Sequence, residues 1–203
     1  DNCKKNEYGY KAWERLITMA AITRNADESL RLAEAEKKET CAFTPEQTAK
    51  SEGIIKPIGQ EAAYVKARAK FEEACEAKAG QPCKNPDAPS KKKTWREAGE
   101  LYEAALNAAP ARRDAPEGAM NAAYAYKQIG EYNKAIALYN KFITEYGSDT
   151  QLNGLQKGDP KTKTAADPKL YAERVKYLGD AYDALGTTYY SFFNYPVSYT
   201  HLT

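Results

Sequence analysis

Residues 116–149 read PEGAMNAAYAYKQIGEYNKAIALYNKFITEYGSD, and the spacing inside this stretch decides the fold. Small and apolar residues recur at helical intervals in two runs: Ala119, Ala122, Ala123, Tyr126 and Ile129, then Ala135, Ile136, Leu138, Tyr139, Phe142 and Ile143. Gly130 stands between the runs, where a helix end needs a residue that tolerates a left-handed backbone. The pattern predicts two helices joined by a tight turn, with alanines that let helix backbones approach closely. Neither helix can bury its stripe alone, so one hairpin predicts neighbours that cover its open face.

The stretch resembles the tetratricopeptide repeat family. Ala123 stands at the small first-helix position, Tyr126 at the aromatic one and Ile129 before the turn, followed by Tyr132, Ala135 and Tyr139. Three positions depart from the family: Ala119 replaces a large aromatic, Phe142 a small residue, and Gly147 a frequent proline. The ending A-x-x-x-Y-x-x-F-x-x-x-Y-G-S, residues 135–148, is similar to the variant found in bacterial cell-envelope members. The resemblance implies an all-α, right-handed superhelix of antiparallel helical hairpins, a TPR-like α-solenoid, whose first helices line a concave groove. The groove positions it carries over are Glu117, Met120, Tyr124, Lys127 and Gln128, and in a third unit Glu173, Lys176, Asp180 and Asp183. The basic and asparagine pattern that grips a C-terminal carboxylate is missing, with Met120 and Tyr124 in its place, so a peptide of that kind is not the expected partner. The alternative is that these are plain exposed residues of a scaffold.

Working outward, residues 60–78 are alanine-rich, with Ala63, Ala67, Phe71 and Ala74 in a stripe, and predict a helix. Residues 80–90 hold three prolines and Cys83 and cannot continue it. The helix predicted over 94–109 places Ala98, Tyr102, Ala105 and Pro110 at the spacing of a second repeat helix, so 60–110 reads as an interrupted repeat. Ala98 and Ala135 lie 37 residues apart, three more than the roughly 34-residue period, and 111–115 supplies the excess. Residues 147–167 lack apolar periodicity and are expected to form an inserted loop. A third, truncated unit is expected over 168–195, with Val175, Leu178, Gly179, Tyr182, Leu185 and Gly186 as its first helix and a partner helix from about Thr188. The tail 196–203, ending VSYTHLT, reads as translated sequencing adapter and hence non-native, the alternative being a natural aromatic terminus; nothing is built on His201. Residues 1–59 form a divergent helical region: 8–23 carries a helical stripe, a more polar helix runs to about 38, and Thr44-Pro45-Glu46-Gln47 is a capping box. Gly53, Pro57 and Gly59 predict that the helix begun there is short.

The 203 residues carry 30 basic and 28 acidic side chains, a net charge of +2 that creates no field for nucleic acid or a membrane surface. No apolar run reaches the roughly 20 residues of a membrane span, which predicts no direct membrane insertion by this segment. Asp1 rather than Met stands first, which leaves room for a leader or lipid anchor ahead of it. Lys91, Lys92 and Lys93 are expected in a solvated loop, the alternative being a contact with an acidic partner. Of the three possible pairings of Cys3, Cys41, Cys75 and Cys83, the spacing prefers Cys75 to Cys83 across a Gly-Gln-Pro turn, with Cys3 to Cys41. Disulfides place the chain in an oxidising compartment, periplasmic or outer-membrane associated; four free thiols would place it in the cytoplasm.

Apart from His201 there is no histidine, which removes triad and H-E-x-x-H chemistry, and no Gly-rich phosphate loop occurs. Acidic groups such as Glu72, Glu73 and Glu76, or Asp180 and Asp183, read as solvated helix faces rather than as a glycosidase pair. The 16 tyrosines read as the large members of large-small packing in preference to a sugar-binding surface. The expectation is a non-catalytic protein-protein interaction scaffold with no cofactor, no metal and no catalytic residue, its partner a protein or peptide in a bacterial cell-envelope assembly. The alternative is a structural spacer or an accessory segment of a longer enzyme or secretion component.

Overall fold

A computed structural model describes residues 7–23, 25, 27–28, 31–32, 34–35, 44–77, 81–159 and 163–200. Among these the chain is all-α, with no strand beyond one isolated bridge between Asp159 and Thr164. It divides into two compact units, Asp1–Ala69 and Lys70–Thr203.

In the first unit, α1 (Glu7–Thr23) and the start of α2 (Pro45–Cys75) contribute Ile17, Ala20 and Ile55 to a core with Leu32. Trp13 joins this core and donates its indole N–H to Ser51, itself buried, at 3.1 Å. The capping box forms as the sequence predicts: the Gln47 amide donates to Thr44 Oγ1 at 3.2 Å, and the Thr44 amide to Gln47 Oε1 at 2.9 Å. The helix is not short, however, and Pro57 lies inside it. A proline in a helix costs about 3 kcal/mol and each glycine about 1. Against this, buried Ile55 and partly buried Ile54 and Ile58 anchor the helix to the core on both sides of Pro57, and a fully buried aliphatic side chain contributes roughly 1.5–3 kcal/mol. These contacts offset the breakers.

The second unit contains the end of α2, then α3 (Lys92–Ala108), α4 (Ala115–Gln128), α5 (Tyr132–Lys141), α6 (Asp149–Lys157) and α7 (Pro168–Thr200). A π-type turn, Phe142–Tyr146, extends α5. α4 packs against α3 and α5, and α5 packs against α7. Alanines make the close approaches: Ala98, Ala105, Ala119, Ala122, Ala123, Ala125 and Ala135 are all buried, interleaved with Trp95, Tyr102, Tyr126, Tyr139 and Phe142. Gly99 is a tight fit between α3 and α4. A Cβ there would lie 3.0–3.2 Å from three ring atoms of Tyr126.

The hairpin at 116–146 forms as expected. Gly130 takes φ +79°, and the Glu131 amide donates back to Tyr126 O at 3.0 Å. Cys75 and Cys83 form a disulfide, S–S 2.08 Å. The loop it closes folds onto the start of α3: the Trp95 indole donates to Pro86 O at 2.7 Å, and Lys91 Nζ donates to Lys84 O and pairs with Glu76. Lys91 is therefore buried, unlike Lys92 and Lys93, because its ammonium finds a carbonyl and a carboxylate inside the loop. The Cys3–Cys41 pairing and His201 lie outside the described residues.

Two expectations over 147–200 are corrected. Residues 149–157, expected in a loop, form α6: Asp149 and Lys157 suit the helix dipole at its two ends, Leu152 and Leu155 sit half-buried, and Gly158 at φ +78° ends it. The signal is a single i, i+3 pair, too short for a period. The turn expected at Gly186, with a partner helix from Thr188, does not form; α7 runs straight through. Thr188 is fully buried and Phe192 meets Tyr132 at 6.2 Å, so the residues beyond Gly186 continue the face laid down by Arg174 and Ala181. The Thr188 hydroxyl also donates to Ala184 O at 2.6 Å, within the helix. Val175 and Tyr182, read as first-helix packing positions, are exposed instead, and the core face lies on Arg174, Ala181 and Thr188.

Candidate inner wall on α4 and α7

On α4, Glu117, Met120, Tyr124, Lys127 and Gln128 are all half-buried. On α7, Glu173, Lys176, Asp180 and Asp183 are exposed and fall on one side of the helix, at i, i+3, i+7 and i+10. Thr187 continues that row. Lys127 Nζ donates to Thr187 Oγ1 at 2.7 Å, which joins the end of α4 to the charged row of α7 across 60 residues of sequence. Burial pushes the Lys127 ammonium below the ordinary lysine range.

Tyr124 has a different role. Its ring lies 5.6 Å from that of Trp95 and 5.8 Å from that of Phe71, and Phe71 meets Trp95 edge-on at 5.1 Å. It belongs to an aromatic cluster shared by the end of α2, α3 and α4, and burial raises its phenol pKa. The structure thus brings Lys127 to α7 and turns Tyr124 into the packing of α4. Thr187 was missed by the sequence reading, although it stands one turn beyond Asp183 on the same side.

Nearby groups are tied down by pairs within the unit. The Tyr126 hydroxyl donates to Glu103 at 2.7 Å, and Lys134 lies 4.4 Å over the Tyr126 ring. Arg174, buried on α7, donates to Tyr146 O at 3.1 Å, and burial lowers its pKa. Between α3 and α5 lies a cleft of about 200 Å³ lined by Glu103, Leu106, Lys134 and Lys141, below the roughly 300 Å³ at which small-molecule sites begin. Among the described residues no cluster of three metal-ligating side chains occurs, and no helix is long and apolar enough to cross a membrane. What these residues offer chemically is a row of mixed charges along one exposed side of α7, with Met120 half-buried on α4. No family model, no curated protein and no solved structure matches the chain.

Proposed function

We propose that this chain is a non-catalytic protein-interaction module of the tetratricopeptide type. Its hairpins stack as a right-handed superhelix, and α4 and α7 are successive first helices whose shared inner wall takes an extended or helical segment of a partner protein. The observation that carries this reading is the Lys127–Thr187 hydrogen bond at 2.7 Å, which ties the end of α4 to α7 while α5 packs against both. Met120 supplies apolar contact, and Lys176, Asp180 and Asp183 supply selectivity at the rim more than affinity. The Cys75–Cys83 disulfide supports an oxidising setting, periplasmic or outer-membrane associated in a bacterial envelope.

The test is site-specific photo-cross-linking in cells, with the probe at Met120, Lys176 or Asp180 on the wall and at Asn133 or Asn140 on the outer side of α5 as controls. The expected result is one partner captured from the wall positions and lost in the Asp180→Lys, Asp183→Lys double variant. Equal capture from α5, or capture unaffected by charge reversal, overturns the reading. Tyr124 is left intact because its truncation would open the aromatic cluster rather than report on the wall.

A further inference from the structure

One face of α7 has no partner among the described residues. Val175, Tyr182, Tyr189 and Phe193 are 42%, 56%, 38% and 62% exposed, and Tyr190 beside them is 74% exposed. Gly179 and Gly186 lie in the same row. Neither has a left-handed backbone, and a Cβ at either would meet nothing within 4 Å. A glycine inside a helix costs about 1 kcal/mol relative to alanine. Nothing in the packing of the described residues requires glycine at those two positions, so the two hollows are open.

The row has a further property. Its members, Val175, Gly179, Tyr182, Gly186, Tyr189 and Phe193, follow one another at intervals of 4, 3, 4, 3 and 4, a sequence that reads the same in both directions. Laid antiparallel on its own copy about Ala184, the row sets Tyr182 opposite Gly186, Tyr189 opposite Gly179, and Val175 opposite Phe193. Every tyrosine meets a hollow and no two tyrosines collide. We infer that α7 pairs antiparallel with α7 of a second copy of this chain, through this row.

Charge and area agree with that occupant. All charged residues of α7, from Lys169 to Asp183, precede Ala184, and none follows it through Thr200. Antiparallel pairing therefore places the charged half of each helix against the neutral half of the other. With aromatic side chains of roughly 200 Å² each, the exposed fractions of the row together with Tyr190 at its edge leave on the order of 500 Å² of apolar surface per copy. The pair buries on the order of 1,000 Å², the size at which specific interfaces begin. Tyr189 and Phe193 are already stacked, centroids 6.0 Å apart and planes 11° apart, so part of the surface is organised before association. Glu173, Lys176, Asp180 and Asp183 lie on the neighbouring side of α7, and the pairing stands or falls independently of what the inner wall binds.

The experiment is sedimentation equilibrium on the whole chain at about 50 μM, a concentration that populates any dimer with a dissociation constant in the low-micromolar range. A dimer mass is expected, and Tyr182→Glu, at an exposed position, weakens association at least about tenfold with the helical circular dichroism unchanged. Register is read by disulfide trapping under mild oxidation. Gly179→Cys with Tyr189→Cys cross-links between copies and, ten residues apart on one helix, cannot close within a copy. Val175→Cys with Tyr189→Cys, on the same face but out of register, cross-links much less. A monomer at this concentration, as when some other segment or protein covers the row, overturns the inference. So does a dimer indifferent to Tyr182→Glu, or equal trapping by both cysteine pairs.

Discussion

Replacing Gly99 by alanine tests whether close packing or helix propensity rules the interface between α3 and α4. Gly99 lies inside α3 with ordinary helical geometry, so propensity alone predicts that alanine stabilises by about 0.8–1 kcal/mol. The new methyl would meet Tyr126 Cζ at 3.0 Å, Cε1 at 3.1 Å and Cε2 at 3.2 Å, a contact with the ring face rather than with a flexible tip. That ring cannot swing away: Tyr126 is fully buried, its hydroxyl is held by Glu103 at 2.7 Å, and Lys134 sits over the ring at 4.4 Å. Overpacking of this kind costs about 2–3 kcal/mol. The net expectation is a destabilisation of about 1–2 kcal/mol, or roughly 3–6 °C in the thermal midpoint of the Lys70–Thr203 unit. The assay is thermal and urea unfolding followed by circular dichroism. Gly154→Ala in α6 serves as the sign control: a Cβ there meets nothing within 4 Å, so that variant gains about 0.5–1 kcal/mol. In a Tyr126→Leu background the overpacking cost should vanish and Gly99→Ala should stabilise, a coupling of about 2–3 kcal/mol in the double-mutant cycle. Stabilisation by Gly99→Ala in the unsubstituted chain would refute the packing argument outright.

Two further outcomes are expected. Reduction of the Cys75–Cys83 bridge, or Cys75→Ala with Cys83→Ala, releases a short loop and lowers stability by about 2–3 kcal/mol; an unchanged midpoint with and without reductant would show that the loop is held by Trp95 and Lys91 alone. Alkaline titration gives the second. Burial, aided for Tyr126 by its bond to Glu103, raises the phenol pKa values of Tyr126 and Tyr139 well above the ordinary tyrosine value near 10. Their folded pKa values exceed the unfolded ones, so the stability they contribute is fully present below about pH 10 and is lost as the pH climbs from there toward the folded values. Absorbance at the tyrosinate band should therefore show fewer than the full 16 tyrosines ionising until the helical signal collapses; complete ionisation before unfolding would contradict their burial.

The parts of the wall that were legible in the sequence are those set by local periodicity. Glu173, Lys176, Asp180 and Asp183 share one side of a helix whatever that helix packs on, and all four are exposed. Tyr124 was not legible as a packing residue because its partners, Phe71 and Trp95, come from 53 and 29 residues away, and no repeat position records them. Lys91 was misread for a similar reason. Its ammonium is satisfied by Lys84 O and Glu76, groups brought near by a loop whose path the sequence does not announce.

By itself the sequence determined what depends on a few neighbouring residues. The left-handed turn at Gly130, the capping box at Thr44 and Gln47, the disulfide across a short Pro-containing loop, and the helical character of each stripe are of this kind. Where helices stop was decided only by tertiary structure. Gly53, Pro57 and Gly59 could have ended α2, and Gly186 could have ended α7, but each break costs or saves only about 1–3 kcal/mol. The packing of Ile55 with Ile54 and Ile58 around Pro57, or of buried Thr188 and the Phe192–Tyr132 contact beyond Gly186, offsets terms of that size, and it depends on which surface lies opposite. A local breaker is a small energy, and the packing partner settles whether the chain obeys it.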